Sequence, residues 1–368
     1  DRHFRSSVNI ICCIGRNLSS SSRLRSSMPA WVIDEYGNNG VLRFTEDATA
    51  PSVNSASEVL IQVQAASLNP LDISMRSGYG SNLLKLRRDP VSLGQNGGEF
   101  PIILGRDVSG VVVDCGSGVT HFKPGDEVWA AIPPWKQGSL AEMVNLTEYE
   151  VSHKPRSLSH KEAASIPYVA ATALSALVNA GGLCRNNCTN KRQCLFPLGL
   201  GADEVVDYTA GDMATELGLL EKFDVILDNV GGETEQWALG LLKPWSGAKY
   251  VTLVTPFLLN IDSMGLLEGA VYSGLNLHQK AITNMCNGVF YRWGFYAPDG
   301  PALDEVSQLV DAGKILPVVE ATFLFSQVPL AFQKVEGGHA RGKTVVTVAQ
   351  EEEGTGVTEE EGETNNKI

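Results

Sequence analysis

Three short segments carry residue types whose spacing could do chemistry, and each asks for a particular ligand. Gly116-x-Gly118-x-x-His121 and Gly199-x-Gly201 resemble a dinucleotide phosphate loop. In such a loop glycines let the backbone approach a pyrophosphate while a helix N-terminus faces it. Neither segment has that context. The first runs through Lys123–Val128 into another strand, and the second has Glu204 where the third glycine belongs. With no helix to offer its N-terminus, each reads as a turn. Cys184, Cys188 and Cys194 are close enough to suggest a metal site, but their C-x₃-C-x₅-C spacing matches no strong zinc pattern and a fourth ligand is not nearby.

The elements that must position any site come in two styles. Glu58–Ala65 alternates, with Val59, Ile61 and Val63 on one side and Gln62 and Gln64 on the other, which predicts a half-buried strand. Val108–Asp114 and Glu127–Ala131 read as further strands, punctuated by Gly116, Gly118, Pro124 and Gly125. Residues 28–150 are therefore expected to form a distorted barrel. Lys161–Ala180 reads as a helix stopped by Gly181-Gly182. Beyond it strands and helices alternate: strands at Glu204–Asp207, Phe223–Asp228, Ala248–Val254 and Lys343–Val348, helices at Thr234–Leu242, Asp304–Ala312 and Val328–Lys334. Such alternation predicts a doubly wound parallel sheet. One unit of it is missing. Ala202–Tyr208 and Phe223–Gly232 read as the later strands of a nucleotide-binding domain, yet Gly181–Glu204 has no room for a first strand, phosphate loop and helix, which need ~30 residues.

Composition bounds the rest. A chain of 368 residues suits two domains, and 43% apolar residues suffice for ordinary cores. The net charge of −13 argues against a nucleic-acid surface, which needs clustered Lys and Arg. Residues 1–27 are rich in Arg and Ser, with Asp1 the only acid before Asp34, the composition of an organelle transit peptide; it is read as a mitochondrial one, against the alternative of a disordered extension. Residues 350–368 form an acidic Glu/Gly/Thr tail that cannot bury a core and is expected to stay disordered. Val8–Gly15 is too short to span a membrane, and no apolar segment of ~18 residues is expected elsewhere. Seven dispersed cysteines suit a reducing interior.

Several motifs in order resemble one family. NPLDISMRSG (Asn69–Gly78), PIILGRDVSGVVVDCGSGVTHFKPGDEVW (Pro101–Trp129), GSLAEMV (Gly138–Val144), AASIPYVAATALSAL (Ala163–Leu177), GADEVVDY (Gly201–Tyr208), FDVILDNVGG (Phe223–Gly232), WSGAKYVTLVTPF (Trp245–Phe257) and GHARGKTVV (Gly338–Val346) are similar to the medium-chain dehydrogenase/reductase superfamily, in its zinc-free quinone oxidoreductase branch. The resemblance covers residues 28–348. It implies an α/β fold: a GroES-like β-barrel domain over 28–160, an incomplete Rossmann-like nucleotide-binding domain over 161–312, and a return to the first domain over 313–349. Asn69 and Arg106 stand where zinc alcohol dehydrogenases of this superfamily carry a Cys and a His, and the four-cysteine structural lobe is absent. Neither residue is a usual zinc ligand.

By the same resemblance Asn69 and Asp72 line the substrate end as catalytic residues, against an alternative in which an Asn-Pro turn is capped by the Asp. Tyr208 resembles the residue beside the adenosine 2′-phosphate, which favours NADPH over NADH; the alternative is an ordinary strand-end tyrosine. Asn229, Gly231, Gly232, Thr255 and Phe257 occupy ligand-binding strand ends, though a strand-to-helix turn would want the same glycines and a core the same Phe. His339, Ala340 and Arg341 form a cofactor-contacting segment, in which Arg341 and Lys343 could bind phosphate or form a solvated edge. Where family members continue into a strand, an AxxGxxG-type loop and a helix, Gln193–Leu200 passes directly to Gly201, and Pro197 disfavours a central replacement strand. Three readings stay open: an NADPH-dependent mitochondrial oxidoreductase of quinones or conjugated carbonyls; a cofactor-free interaction protein, for which the resemblance implies a reticulon-type membrane partner; or the unstable product of an incomplete transcript or gene model.

Overall fold

The alternating strand at Glu58 is longer and more enclosed than its pattern suggests. The computed structural model describes residues 26–88, 99–183, 206 and 211–349. It begins with β1 (Ser27–Ile33) and β2 (Leu42–Thr49), followed by β3 (Glu58–Leu68). In β3, Leu60 and Ala66 are buried with Val59, Ile61 and Val63 in one core, and Ala65 packs on Ala164 and Val345, so both faces of the strand are covered. Next come α1 (Pro70–Arg76), α2 (Ser81–Arg88), β4 (Ile102–Ile103), β5 (Asp107–Cys115), β6 (Glu127–Ala131), β7 (Met143–Thr147) and β8 (Val151–His153). The Gly116–His121 segment is a turn between β5 and β6 with no helix after it, and the Gly116 N–H donates to Glu58 O at 2.8 Å.

The apolar stretch after His153 breaks into pieces: α3 (His160–Ala163), α4 (Pro167–Leu174) and a π-helical turn at Ser175–Ala180. Pro167 opens α4, where its missing N–H costs nothing. Contrary to expectation, residues 160–180 are long and apolar enough by composition to cross a bilayer. One side of them packs on the protein's core, while Val169 and Val178 on the other are exposed. Ala163, Ile166 and Ala171 bury against Trp129 and against Leu303, Val306 and Val310.

The remaining elements alternate: α5 (Met213–Gly218), β9 (Val225–Asp228), α6 (Glu233–Gly240), β10 (Lys249–Thr252), α7 (Phe257–Met264), α8 (Leu266–Cys286), β11 (Phe290–Trp293), α9 (Gly300–Asp311), β12 (Val319–Leu324), α10 (Val328–Glu336) and β13 (Lys343–Thr347). β9, β10 and β11 form a parallel sheet of order β11-β10-β9. The first half holds a sheet of order β2-β1-β4 and a larger one of order β12-β13-β3-β5-β6-β8, with β7 on β3. The two meet at the Ala30–Ala141 bridge and wrap one core, the distorted barrel that the strand pattern predicts. β12 and β13 return the chain to that half, with Thr344 opposite Leu68.

The two cores differ in size. The β-rich half is centred on residues such as Leu60, Ile61, Val128 and Phe332, whereas the parallel sheet is held by a smaller set including Phe223, Tyr250, Val289 and Tyr291. Among the described residues nothing pairs with the far edge of β9. The strand at Glu204–Asp207 falls outside the described residues except for Val206, as do the cysteine trio, Gly199–Gly201, Tyr208, the acidic tail and all but the end of the leader.

Candidate active site

Two groups of residues gather at chemically suggestive places. The first lies where β3, β5, α1 and β13 converge. The carboxylate of Asp107, fully enclosed, accepts the Ser67 hydroxyl at 2.9 Å, the Asn69 amide at 2.7 Å and the Lys343 ammonium at 2.9 Å on one oxygen. Its other oxygen accepts the Tyr168 N–H at 2.6 Å. Lys343 Nζ also donates to Asn69 Oδ1 at 2.6 Å. The spacing of residues gave no signal for Asp107 as the hub of this network. Lys343, read as a phosphate ligand or solvated edge, is instead committed to Asn69 and Asp107.

Asp72 sits one step behind. Its carboxylate accepts the Asn69 backbone N–H at 2.9 Å and the Gly105 N–H at 2.8 Å, and lies 3.6 Å from the Arg106 guanidinium. Burial pushes its pKa up, opposed by Arg106 and the two N–H donors. With no surface exposed, Asp72 acts on the site through Asn69, as a cap on the first turn of α1. Arg106 is equally enclosed: its guanidinium donates to the carbonyls of Ile103, Pro133 and Lys136 at 2.9–3.0 Å. Burial lowers its pKa, and Asp72 opposes that.

The second group lies at the C-terminal ends of β9 and β10, the ligand-binding edge of a parallel sheet. Asp228, missed by sequence reasoning, is buried there and accepts the N–H groups of Val230 (2.9 Å) and Gly231 (3.0 Å) together with the Tyr250 hydroxyl. That turn requires glycine. Gly231 has φ 71, and a Cβ on it would lie 2.8 Å from Val254 Cγ1. Asn229 and Gly232 are exposed, and Thr255 is half-buried. Phe257 opens α7 with its ring edge-on to Phe295 at 6.0 Å. His339 and Ala340 belong to the turn before β13, in which His339 holds φ 51 and the Arg341 N–H donates to Glu320 at 3.0 Å. A non-glycine residue in that region costs about 1–2 kcal/mol.

The phosphate end of a dinucleotide is not matched by the described residues. α5 opens with Asp212, whose carboxylate takes the Ala214 N–H at 3.2 Å, and the first turn of α6 carries Glu233 and Glu235. Negative charge at a helix N-terminus repels a phosphate that would otherwise bind there. Among the described residues no metal-ligating cluster of His, Cys, Asp and Glu occurs.

Comparison with known proteins places this arrangement. Residues 55–156 match the alcohol dehydrogenase GroES-like domain, and residues 200–346 match the zinc-binding dehydrogenase family. A zebrafish (Danio rerio) protein named "NAD(P)H oxidoreductase RTN4IP1, mitochondrial" is 56% identical over 372 positions, covering 92% of this chain and 96% of its own length. The chain belongs to the medium-chain dehydrogenase/reductase superfamily. Within it, a Caenorhabditis elegans protein named "Reticulon-4-interacting protein 1, mitochondrial" is 31% identical, covering 87% of this chain and 95% of its own. The quinone oxidoreductase of Coxiella burnetii superposes with a TM-score of 0.65 at 25% identity, covering 88% of this chain and 100% of that one.

This member of the superfamily is thus an oxidoreductase of the nicotinamide-dependent kind, and mitochondrial. The zebrafish comparison also bears on the missing unit. As 92% of 368 residues is about 339, the 372 aligned positions leave about 33 of them without a residue of this chain, the size of a strand–helix–strand unit of ~30 residues.

Proposed function

We propose that this protein reduces a quinone or related conjugated carbonyl with NADPH in mitochondria, without zinc, and that this chain holds the cofactor weakly for want of a phosphate loop. The observation that carries the substrate class is the use made of the two positions where zinc-dependent members have ligands. Asn69 spends its amide on Asp107 and Lys343, and Arg106 spends its guanidinium on three backbone carbonyls. A carbonyl bound beside such groups has no Lewis acid to polarise it. Quinones and enones need less help, being electrophilic already.

In this reading the substrate domain spans residues 28–160 and 313–349, and the nucleotide domain 161–312. Asn69, with Asp72 behind it, lines the substrate end. Tyr208, Asn229, Gly231, Gly232, Thr255, Phe257, His339, Ala340 and Arg341 line the cofactor. The preference for NADPH over NADH rests on Tyr208 through the family resemblance.

Titration of NADPH into the purified chain, followed by melting and cofactor fluorescence, tests the reading. A ligand that binds only the native state raises its stability by mass action. The expected result is a cooperative melt with a small, saturable shift that needs high NADPH; a cooperative melt with no shift at all would sink the enzyme reading for this chain and leave the binding role. Tight saturable binding would show that the chain rebuilds a phosphate site; no cooperative melt would mark a broken domain.

A second reading, a binding role with a reticulon-type membrane partner, is supported by the name of the C. elegans relative and by apolar residues exposed along α8, among them Leu267, Val271 and Leu275. Binding of the chain to liposomes carrying such a partner, compared with Leu267→Asp and Leu275→Asp, tests it.

A further inference from the structure

An ammonium has three N–H donors. Lys343 uses one on Asn69 Oδ1 and one on Asp107 Oδ2, and no hydrogen bond among the described residues takes the third. The members of this network differ in access. Ser67 and Asp107 are fully buried and Asn69 is 4% exposed, whereas the Lys343 side chain keeps 16% of its surface exposed. Lys343 therefore offers more surface to a ligand than any other side chain of the network.

The surroundings fix its charge and direction. Asp107 balances the ammonium, so the pair is neutral as a whole and does not attract a phosphate or carboxylate as a bare lysine would. Asn69 and Asp107 hold Nζ at two points, which leaves little freedom to the third N–H. A donor of this kind, charged but neutralised from behind, forms a hydrogen bond roughly twice as strong as one between neutral groups. The whole assembly sits on β3, β5, β13 and the start of α1, outside the parallel sheet that lacks a unit.

We propose that the third N–H of Lys343 is the donor to the carbonyl oxygen of a neutral quinone or enone, with Asn69 and Asp107 as the residues that position it. This deepens, and rests on, the quinone-reductase reading of the site. Charge that gathers on the carbonyl oxygen as the substrate is reduced would be held by the same N–H, in the role a metal fills in zinc-dependent members.

The test uses the full chain and duroquinone, a fully substituted quinone that spares thiols, and it does not require turnover. Equilibrium dialysis gives the dissociation constant for the natural chain, Lys343→Met and Lys343→Arg. Acetylation of lysines with and without duroquinone, read by mass spectrometry, reports on Lys343 in the unaltered protein should Lys343→Met fail to fold. The expected results are saturable binding, protection of Lys343 from acetylation, at least tenfold weaker binding in Lys343→Met, and binding within a few fold of natural in Lys343→Arg. Saturable binding without protection of Lys343 would overturn the assignment while leaving the quinone reading standing. Binding and protection without NADPH-driven reduction would uphold it while sinking the enzyme reading for this chain. No binding at all would overturn both.

Discussion

The carboxylate of Asp262 accepts the backbone N–H of Gly80 at 2.6 Å, across 182 positions of sequence. Its other oxygen accepts the Asn82 N–H at 3.1 Å, and the Asn82 amide returns a hydrogen bond to Ile261 O at 3.3 Å. A helix leaves its first N–H groups without partners inside the helix. Here α7 supplies them for α2, so the segment that follows the end of β10 is fastened to the β-rich half of the molecule.

Removing that cap has a measurable cost. Asp262→Ala is expected to lower stability by about 0.5–2 kcal/mol, the usual value of a lost N-cap. Asp262→Asn should retain part of it. Urea denaturation of the three proteins checks this; coincident midpoints would mean that the contact carries no net energy.

Arg106 presents a harsher case. It is fully enclosed beside Asp72, and its removal leaves a buried carboxylate and three carbonyls without their cation. Breaking a buried pair from one side costs about 3–5 kcal/mol. Arg106→Met should therefore melt far below the natural chain, while the double variant Arg106→Met/Asp72→Asn should recover part of the loss. Equal melting temperatures for the single and double variants would refute the pairing.

His160 gives stability a pH dependence. Its Nδ1 lies 2.8 Å from the Ser109 hydroxyl and its Nε2 3.3 Å from Glu127, which also meets Lys154 at 3.2 Å. Burial lowers the imidazole pKa below its usual 6.5; Glu127 opposes the shift and Lys154 reinforces it. The unfolded chain therefore takes up the proton first. The neutral ring's contribution is intact above about pH 6.5 and is lost as pH falls through the lowered folded value. Between pH 7.5 and 5 the natural chain should lose more stability than His160→Gln. Parallel curves would show that His160 does not titrate differently on folding.

Restoring the absent unit should restore the cofactor site. Inserting after Arg192 the strand, glycine loop and helix of a relative is expected to yield NADPH-dependent stabilisation of about 2.7 kcal/mol at one hundred times the dissociation constant. Calorimetric melts with and without NADPH provide the comparison. An insert that folds but still ignores NADPH would place the defect elsewhere.

Local pattern carried much of the architecture. β6 matches its sequence reading at both ends, and β5 and β13 match within a residue, because turn residues bound short apolar runs there. α7, α8 and β11 were not legible. α8 exposes Leu267, Val271, Leu275, Ile282 and Met285, so its apolar residues do not mark an inward face. The helix read over residues 161–180 was divided by Pro167, and the distorted barrel is built from two sheets that a bridge links.

The sequence by itself determined the family, the order of the two kinds of domain, and the shortage of residues ahead of the parallel strands, since these follow from motifs, periodicity and length along one chain. Tertiary structure alone decided which polar groups meet. Lys343 lies 274 positions from Asn69 and 236 from Asp107, yet the antiparallel pairing of β3 with β13 and with β5 sets all three together. The same holds for Asp72, whose burial and N–H partners make it a cap rather than a surface toward a ligand. Hydrogen bonds act over about 3 Å in space, and only the fold converts distance along the chain into that distance.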